Sequence, residues 1–487
     1  MSMEKRELTG ELPVESDAAE GDLEALTVPH NEQAWPKDWR AYAACFAGFC
    51  GMALCWGTIM TFGSFFRFYD DSLLGNWPSD ALIGLIGSVQ AFLVLGLSLI
   101  AGRILDAQYH RPMLFVGGVM IASSYICLSF VGASWGLILL TQGFMAGFGM
   151  ACFFTHSSYC AVQWLPGHKY IAIGITSSGA SFGGAVFPVA VNGLIGNCGF
   201  PSAVRWMALL FGAMSVYCIA FGGPPPNVTK HPLSRSWKCW MNPEAFRNRM
   251  FLYFTLGMAT VFFGYSPLLF HVTEWAKTGN GLKPYWFLVI MNGSSIVGRL
   301  GSAAIASANS KSPNPLLRIH AVSCLVGAIL VLAFWQLAED IPTSISFCVL
   351  FGIAAGVFVG LPASVIAYII PEENKQSLGA WTGMMWSSCA VTCLTGPPIT
   401  GALVRQRGIP AVGYWAGSCL LLATALISLA AWEKRKYDKS KELAEKRREE
   451  SEDIPFAEVQ AVPEASRDVQ YTLPVFSFPV FSLKLAS

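Results

Sequence analysis

The chain has 487 residues, of which 53% are hydrophobic, 13% aromatic and only 13% charged, with a formal net charge of +1. A soluble domain carries about 25% charged residues, so this chain has roughly half the charge needed to coat a water-exposed surface. That arithmetic excludes a disordered or collagen-like chain. The 14 cysteines, scattered singly, exclude a disulfide scaffold, and nothing clusters Lys and Arg on one face as a nucleic-acid partner requires. A polytopic membrane protein remains.

Residues 1–40 are polar and acidic (Glu11, Glu15, Asp17, Glu20) and lack the apolar stretch of a secretory signal. They read as a disordered cytosolic tail. About twelve apolar stretches of roughly 20 residues follow, the length a helix needs to cross a bilayer. They lie near 41–66, 81–102, 112–131, 136–160, 171–195, 203–222, 250–272, 285–306, 317–337, 345–370, 376–403 and 412–432. Lipid offers no partner to a bare backbone N–H, so an all-α membrane protein is expected. The polar connection 223–249 begins Gly-Pro-Pro-Pro and divides an N-terminal six-helix half, 41–222, from a C-terminal half, 250–432. A cytosolic tail, 433–487, closes the chain. Its mixed-charge run 433–453 reads as solvated, either a plain tail or a short helix. Its last apolar piece, 471–487, carries two prolines and is too short to span.

Basic residues in short loops set orientation. With both tails inside, the inner loops hold Arg103, Arg111, Lys169, Lys230, Arg235, Lys238, Arg247, Arg249, Lys311, Arg318 and Lys375, against Arg67, Arg205, Lys277, Lys283, Arg405 and Arg407 outside. The acceptor-like Asn227-Val228-Thr229 would then face the cytosol and stay unglycosylated.

The halves echo each other. Spans four and five (147–188) and spans ten and eleven (352–398) each run from a glycine-rich helix through a charged hairpin with proline into a Gly/Ser-rich helix ending at proline. Two such halves with substrate between them is a transporter architecture. Gly143, Gly147, Gly174, Ser178, Ser181 and Gly184 recur at three- and four-residue spacing and let helices pack closely.

Residues 102–112 (Gly-Arg-Ile-Leu-Asp-Ala-Gln-Tyr-His-Arg-Pro) resemble the loop motif of the major facilitator superfamily through Gly102, Asp106 and Arg111, with Tyr109 in place of the second glycine. The resemblance implies the major facilitator fold, twelve transmembrane helices in two pseudo-symmetric halves. It also implies that Asp106 sits near a helix N-terminus and a basic residue and latches the inner gate. Phe62-Gly63-Ser64-Phe65, the run 86–93, Gln142-Gly143, Gln163-Trp164, the stretch 172–184 and Asn292-Gly293-Ser294-Ser295-Ile296-Val297-Gly298-Arg299 resemble one branch, the monocarboxylate porter family in its fungal form. Over about 36–432, that likeness implies a plasma-membrane carrier of small organic solutes, typically monocarboxylates with a proton. Fungal relatives also include a riboflavin carrier and transporters beside secondary-metabolite pathways. The chain departs where proton-coupled members place a lysine in span one (here Met60) and an aspartate four residues before the span-eight arginine (here Ser295). The Asp-Gly-Gly lead-in is also replaced, by Pro-Lys-Asp at 36–38.

Arg299 is a full charge well inside a span, which costs at least about 2.5–3.5 kcal/mol and therefore requires a cavity or partner. Its fork is suited to a substrate carboxylate, or alternatively to backbone carbonyls. Asn292 and Ser295 share its helix face. His156 is a proton-coupling candidate, or a histidine bonded to a neighbouring helix. His271 and His320 read as interfacial, and Glu274 as an outer gate candidate. Gln90, Tyr159, Ser177, Ser181, Tyr265, Tyr368, Trp381 and Ser387 fall in spans that would line the central cavity in this fold, where aromatics stack on flat substrates or simply pack. No nucleophile elbow, phosphate loop or histidine–carboxylate metal set is present, so neither an enzyme nor a cofactor is expected. Three readings stand: a secondary transporter of a small organic solute, with or without a co-transported proton; an efflux carrier of a hydrophobic or aromatic metabolite; and a transporter-like nutrient sensor.

Overall fold

The computed structural model describes residues 35–74, 80–226, 228, 243–276, 283–309, 314–371, 374 and 377–452. The Asn227-Val228-Thr229 motif, the apolar C-terminal piece and loop residues Lys230, Arg235, Lys238, Lys277, Lys311 and Lys375 fall wholly or partly outside them. The chain divides into two units, Met1–Lys434 and Arg435–Ser487.

The first unit is helical throughout its described spans: α1 (Trp39–Phe68), α2 (Leu82–Asp106), α3 (His110–Leu128), α4 (Trp135–Trp164), α5 and α6 within Lys169–Phe221, α7 (Arg249–Trp275), α8 (Tyr285–Ala308), α9 (Pro315–Leu337), α10 (Ile341–Ile369), α11 (Leu378–Arg407) and α12 (Pro410–Glu452). Among the described residues ten helices are long and apolar enough to cross a membrane. That figure reconciles with the expected twelve in two steps. Lys169–Phe221 breaks at Gly199, whose φ of +75° suits a residue without Cβ, so it supplies both α5 and α6. The other is α11, a 30-residue helix diluted by Gly, Ser, Thr and Pro.

Helix starts are capped where chemistry allows. Asp38 accepts from Arg40 N–H at 2.9 Å, Asn248 from Met250 N–H at 3.0 Å, and Asp340 from Thr343 N–H at 2.9 Å. The Thr343 hydroxyl and N–H together hold the Asp340 carboxyl below its ordinary range. Several helices are locally irregular, α4 among them with a π-helical stretch over Leu139–Met145. Ala53–Gly57 of α1 is π-helical, and α10 breaks between Gly360 and Pro362. Proline lacks an N–H, so the break leaves a backbone carbonyl without its helical donor. Such breaks at membrane depth are tolerated where they line a cavity.

We call the face from which α1 rises the lower face. The first six helices meet the second six along two seams. At one, α2 lies on α11: Gly102 and Gly379 touch backbone to backbone, and a Cβ at either would collide with the carbonyl of the other. Ser387 Oγ donates to Gly96 O at 2.9 Å and accepts from Leu99 N–H at 3.2 Å. At the other seam, α5 lies on α8, with Gly174 against Ala303 and Gly184 against Asn292. Small residues at these crossings let the backbones approach, as packing in lipid requires.

The second unit is a helix through 452 within its described part, largely exposed up to Arg447. Ion pairs at four-residue spacing, Lys441–Glu445 at 3.7 Å and Lys446–Glu442 at 2.9 Å, decorate it. The mixed-charge run is therefore helical rather than a plain tail.

Candidate functional site

Two cavities lie between the halves. The lower one, about 340 Å³ of empty space, is lined by Met52, Trp56, Phe154, Ser158, Ser177, Arg299, Val359, Gly360, Pro362, Ala363 and Trp386. The upper one, about 670 Å³, is lined by Trp56, Ile59, Met60, Gly63, Ser88, Ala91, Tyr265, Ser266, Leu269, Phe270, Thr273, Leu288 and Cys393. Trp56 belongs to both.

Arg299 is 6% exposed and is the full charge lining these cavities among the described residues. Its stem lies against Gly360, where a Cβ would come within 3.0 Å of Arg299 Cγ, so the α10 break makes room for it. Its Nε donates to Ser181 Oγ at 2.9 Å, and Ser181 Oγ donates to Ser295 Oγ at 3.0 Å. This chain crosses from α8 to α5 and back. It orients the guanidinium of a side chain that lines the lower cavity. No carboxylate lies within ion-pair distance among the described residues. Ser177 and Ser158 add hydroxyls, and Trp56, Phe154 and Trp386 add aromatic faces. The lining thus joins a guanidinium and hydroxyls, the groups that bind an anion, to aromatic faces, the groups that stack on a flat apolar body.

A second cluster sits at the lower face. The Asp106 carboxylate accepts from Gly379 N–H and Ala380 N–H, each at 2.9 Å. These are orphan donors in the first turn of α11, at the positive end of its dipole. Tyr159 approaches the same carboxylate, and Arg103 is the cation beside it. Gln108, in the left-handed region at φ 66°, turns its side chain to accept from Gln163 Nε2 and His110 Nε2, each at 3.1 Å.

The remaining sequence candidates are distributed as follows. Tyr265 lines the upper cavity. Asn292 donates to Leu288 O at 2.9 Å inside the α5–α8 seam. Gln90 is fully buried and bonded to Gln142 O at 2.8 Å, facing neither cavity. Tyr159 belongs to the Asp106 cluster, and Tyr368 bonds Asn314 at 2.9 Å near Lys434 at the lower end. Trp381 packs edge-on against Phe251 at 4.9 Å, away from both cavities. His156 Nε2 donates to Gly222 O at 2.7 Å, tying α4 to the end of α6. Arg111 reaches Ala220 O at 3.4 Å and so serves the α6 terminus rather than Asp106. His271 pairs with Glu274 at 3.2 Å, and His320 is buried against Phe254 rather than interfacial.

Sequence reasoning passed over Trp56, Phe154, Phe262 and Trp386, which are ordinary aromatics in an aromatic-rich chain. It also passed over Gly360-Leu361-Pro362, a helix-breaking triplet inside an apolar stretch that does carry a signal.

Known proteins share this architecture. The "MFS transporter asaE" of Aspergillus flavus is 27% identical over 418 residues, covering 84% of this chain and 91% of that protein. The "Fujikurins efflux protein" of Gibberella fujikuroi is 26% identical over 379 residues, covering 76% and 78% respectively. The "Agnestins efflux protein AgnL12" of Paecilomyces divaricatus is 24% identical, covering 77% and 83%. Among solved structures, the human organic anion transporter MFSD10 (TETRAN) superposes with a TM-score of 0.60 at 15% identity, over 82% of this chain and all of that one. The peptide transporter POT gives 0.62 at 14% identity, over 83% and 97%; at these identities the likeness speaks for the fold. The family profile of the Major Facilitator Superfamily matches residues 44–393, most of the helical unit and both cavities with it. This multi-pass membrane transporter therefore belongs to the Major Facilitator Superfamily.

Proposed function

We propose that this chain exports an amphipathic organic anion, a flat apolar metabolite bearing one anionic group, across the plasma membrane by alternating access. The observation that carries this reading is Arg299: a charge held by Ser181 in a cavity walled by Trp56, Phe154 and Trp386. The bidentate guanidinium serves the anionic group, and the aromatic walls serve the flat body. Two relatives are named as efflux proteins, which supports the outward direction. The excess of basic loop residues on the lower face supports cytosolic termini. The Arg299 cavity then lies toward the cytosol, where an exported anion is loaded. Asp106 acts as the latch that closes that side by holding the first turn of α11.

Within the monocarboxylate porter branch, Arg299 is the shared feature. Met60 turns an apolar thioether into the upper cavity where proton-coupled members have lysine, and His156 spends its N–H on Gly222. The assignment is therefore anion transport without the lysine-dependent proton step.

The test is accumulation of labelled aromatic carboxylates by vesicles from cells expressing the chain. Inside-out vesicles are expected to accumulate them above vesicles from non-expressing cells, and right-side-out vesicles are not. Equal accumulation in expressing and non-expressing vesicles of both orientations overturns the reading.

A further inference from the structure

Four rings meet around Trp56, which lines both cavities; Phe154 and Trp386 line the lower one, and Phe262 packs behind them. Trp56 of α1 lies 6.0 Å from Phe154 of α4, Phe154 lies 5.1 Å from Trp386 of α11, Trp386 lies 5.6 Å from Phe262 of α7, and Phe262 lies 5.9 Å from Trp56. The contacts close a circuit, all at distances typical of attractive aromatic pairs. Two rings come from each half, so the Trp56–Phe262 and Phe154–Trp386 contacts bridge the halves. Below the circuit lies the Arg299 cavity; above it lies the larger, mostly apolar cavity.

We propose that these four rings form an aromatic septum, an exit gate inside the membrane that separates the Arg299 cavity from the upper cavity, with Trp56 as its moving leaf. Three observations single out Trp56. It alone lines both cavities among the described residues. It stands in the π-helical segment Ala53–Gly57, and π segments inside α-helices occur frequently at functional sites. Its neighbour Gly57 packs against Gly183 so closely that a Cβ would collide, so the backbone is pinned and motion falls to the side chain. A flat substrate ring takes Trp56's place against Phe154 and Phe262 as the leaf swings, so the gap never fills with water. Nonplanar anions of equal charge lack that surface and pass poorly. The choice of substrate rests on the proposed function; the septum itself does not.

The test uses no substrate, so its failure and the failure of the export reading are distinguishable. Ser177→Cys reports on the lower cavity and Met60→Cys on the upper. Intact cells are treated with a membrane-impermeant maleimide, and labelling is read at each site by peptide mass spectrometry. Met60→Cys is expected to react in every background. Ser177→Cys reacts slowly behind an intact septum. If opening is a minor state of 0.1–10% population, Trp56→Ala accelerates Ser177→Cys labelling roughly tenfold or more, whereas Trp56→Phe leaves it near the wild-type rate. Phe154→Ala opens the same circuit and replaces Trp56→Ala should that variant fail to reach the membrane. Equal Ser177→Cys labelling in wild type and in the ring-deleted variants, fast or slow, overturns the proposal.

Discussion

Arg299 stands out in the sequence because the insertion cost of a guanidinium amid apolar residues demands compensation, whether from a ligand or from backbone carbonyls. What the sequence could not convey is the form of that compensation. Ser295, four residues away on the same helix, does not touch the arginine directly. It is reached through Ser181 on a different helix, a connection only tertiary packing creates. Replacing Arg299 by Gln removes a charge-assisted contact worth about 1.5–3 kcal/mol, so the KM for an anionic substrate is expected to rise roughly 10- to 150-fold. Thermal stability is expected to hold or rise, since a buried charge is removed. A KM unchanged in vesicle transport would sink the anion contact. Asp106 is the second residue-scale case. Asp106→Asn keeps the shape but loses the charge at the α11 dipole, an interaction of about 0.3–2 kcal/mol. The lower seam should open more often, so Ser158→Cys labelling in inside-out vesicles is expected to quicken by a factor of a few, up to about 30. Unchanged labelling would mean the carboxylate does not hold the gate.

The helices themselves were largely legible, because apolar length is a direct consequence of bilayer thickness. Their irregularities were not. The π segment around Trp56 has no compositional mark, and the α5–α6 junction needed only one glycine at positive φ instead of a polar loop. Aromatic candidates fared unevenly for a similar reason: Trp381 and Tyr368 share their chemistry with Trp386 and Tyr265, and helix rotation alone decides which reaches a cavity. Seam geometry yields a sharp expectation. Gly379→Val places bulk against the Gly102 carbonyl and Asp106, so the lower seam cannot close. Export should fall to background while the protein still reaches the membrane, as measured by vesicle transport beside surface labelling. Pro362→Ala acts oppositely by restoring a donor to the α10 break. If the α10 break serves as a hinge, melting temperature rises while turnover falls; transport at full speed in a stabilised variant would show that the break plays no part in transport.

Across the whole molecule, low charge content first meant only residence in a membrane. The structure shows how that scarcity is used: among the described residues, the charge that remains stands at the faces, in the second unit, and at Arg299. Two seams of small residues join the halves, and an aromatic circuit divides the space between them. The central claim is that Arg299 binds the anionic end of a flat metabolite during transport. Counterflow by purified protein in liposomes tests it most directly, comparing an aromatic carboxylic acid with its neutral methyl ester in wild type and Arg299→Gln. Wild type is expected to exchange the acid faster than the ester, and the variant to lose that preference. An acid-over-ester preference that survives the loss of Arg299 would contradict the account.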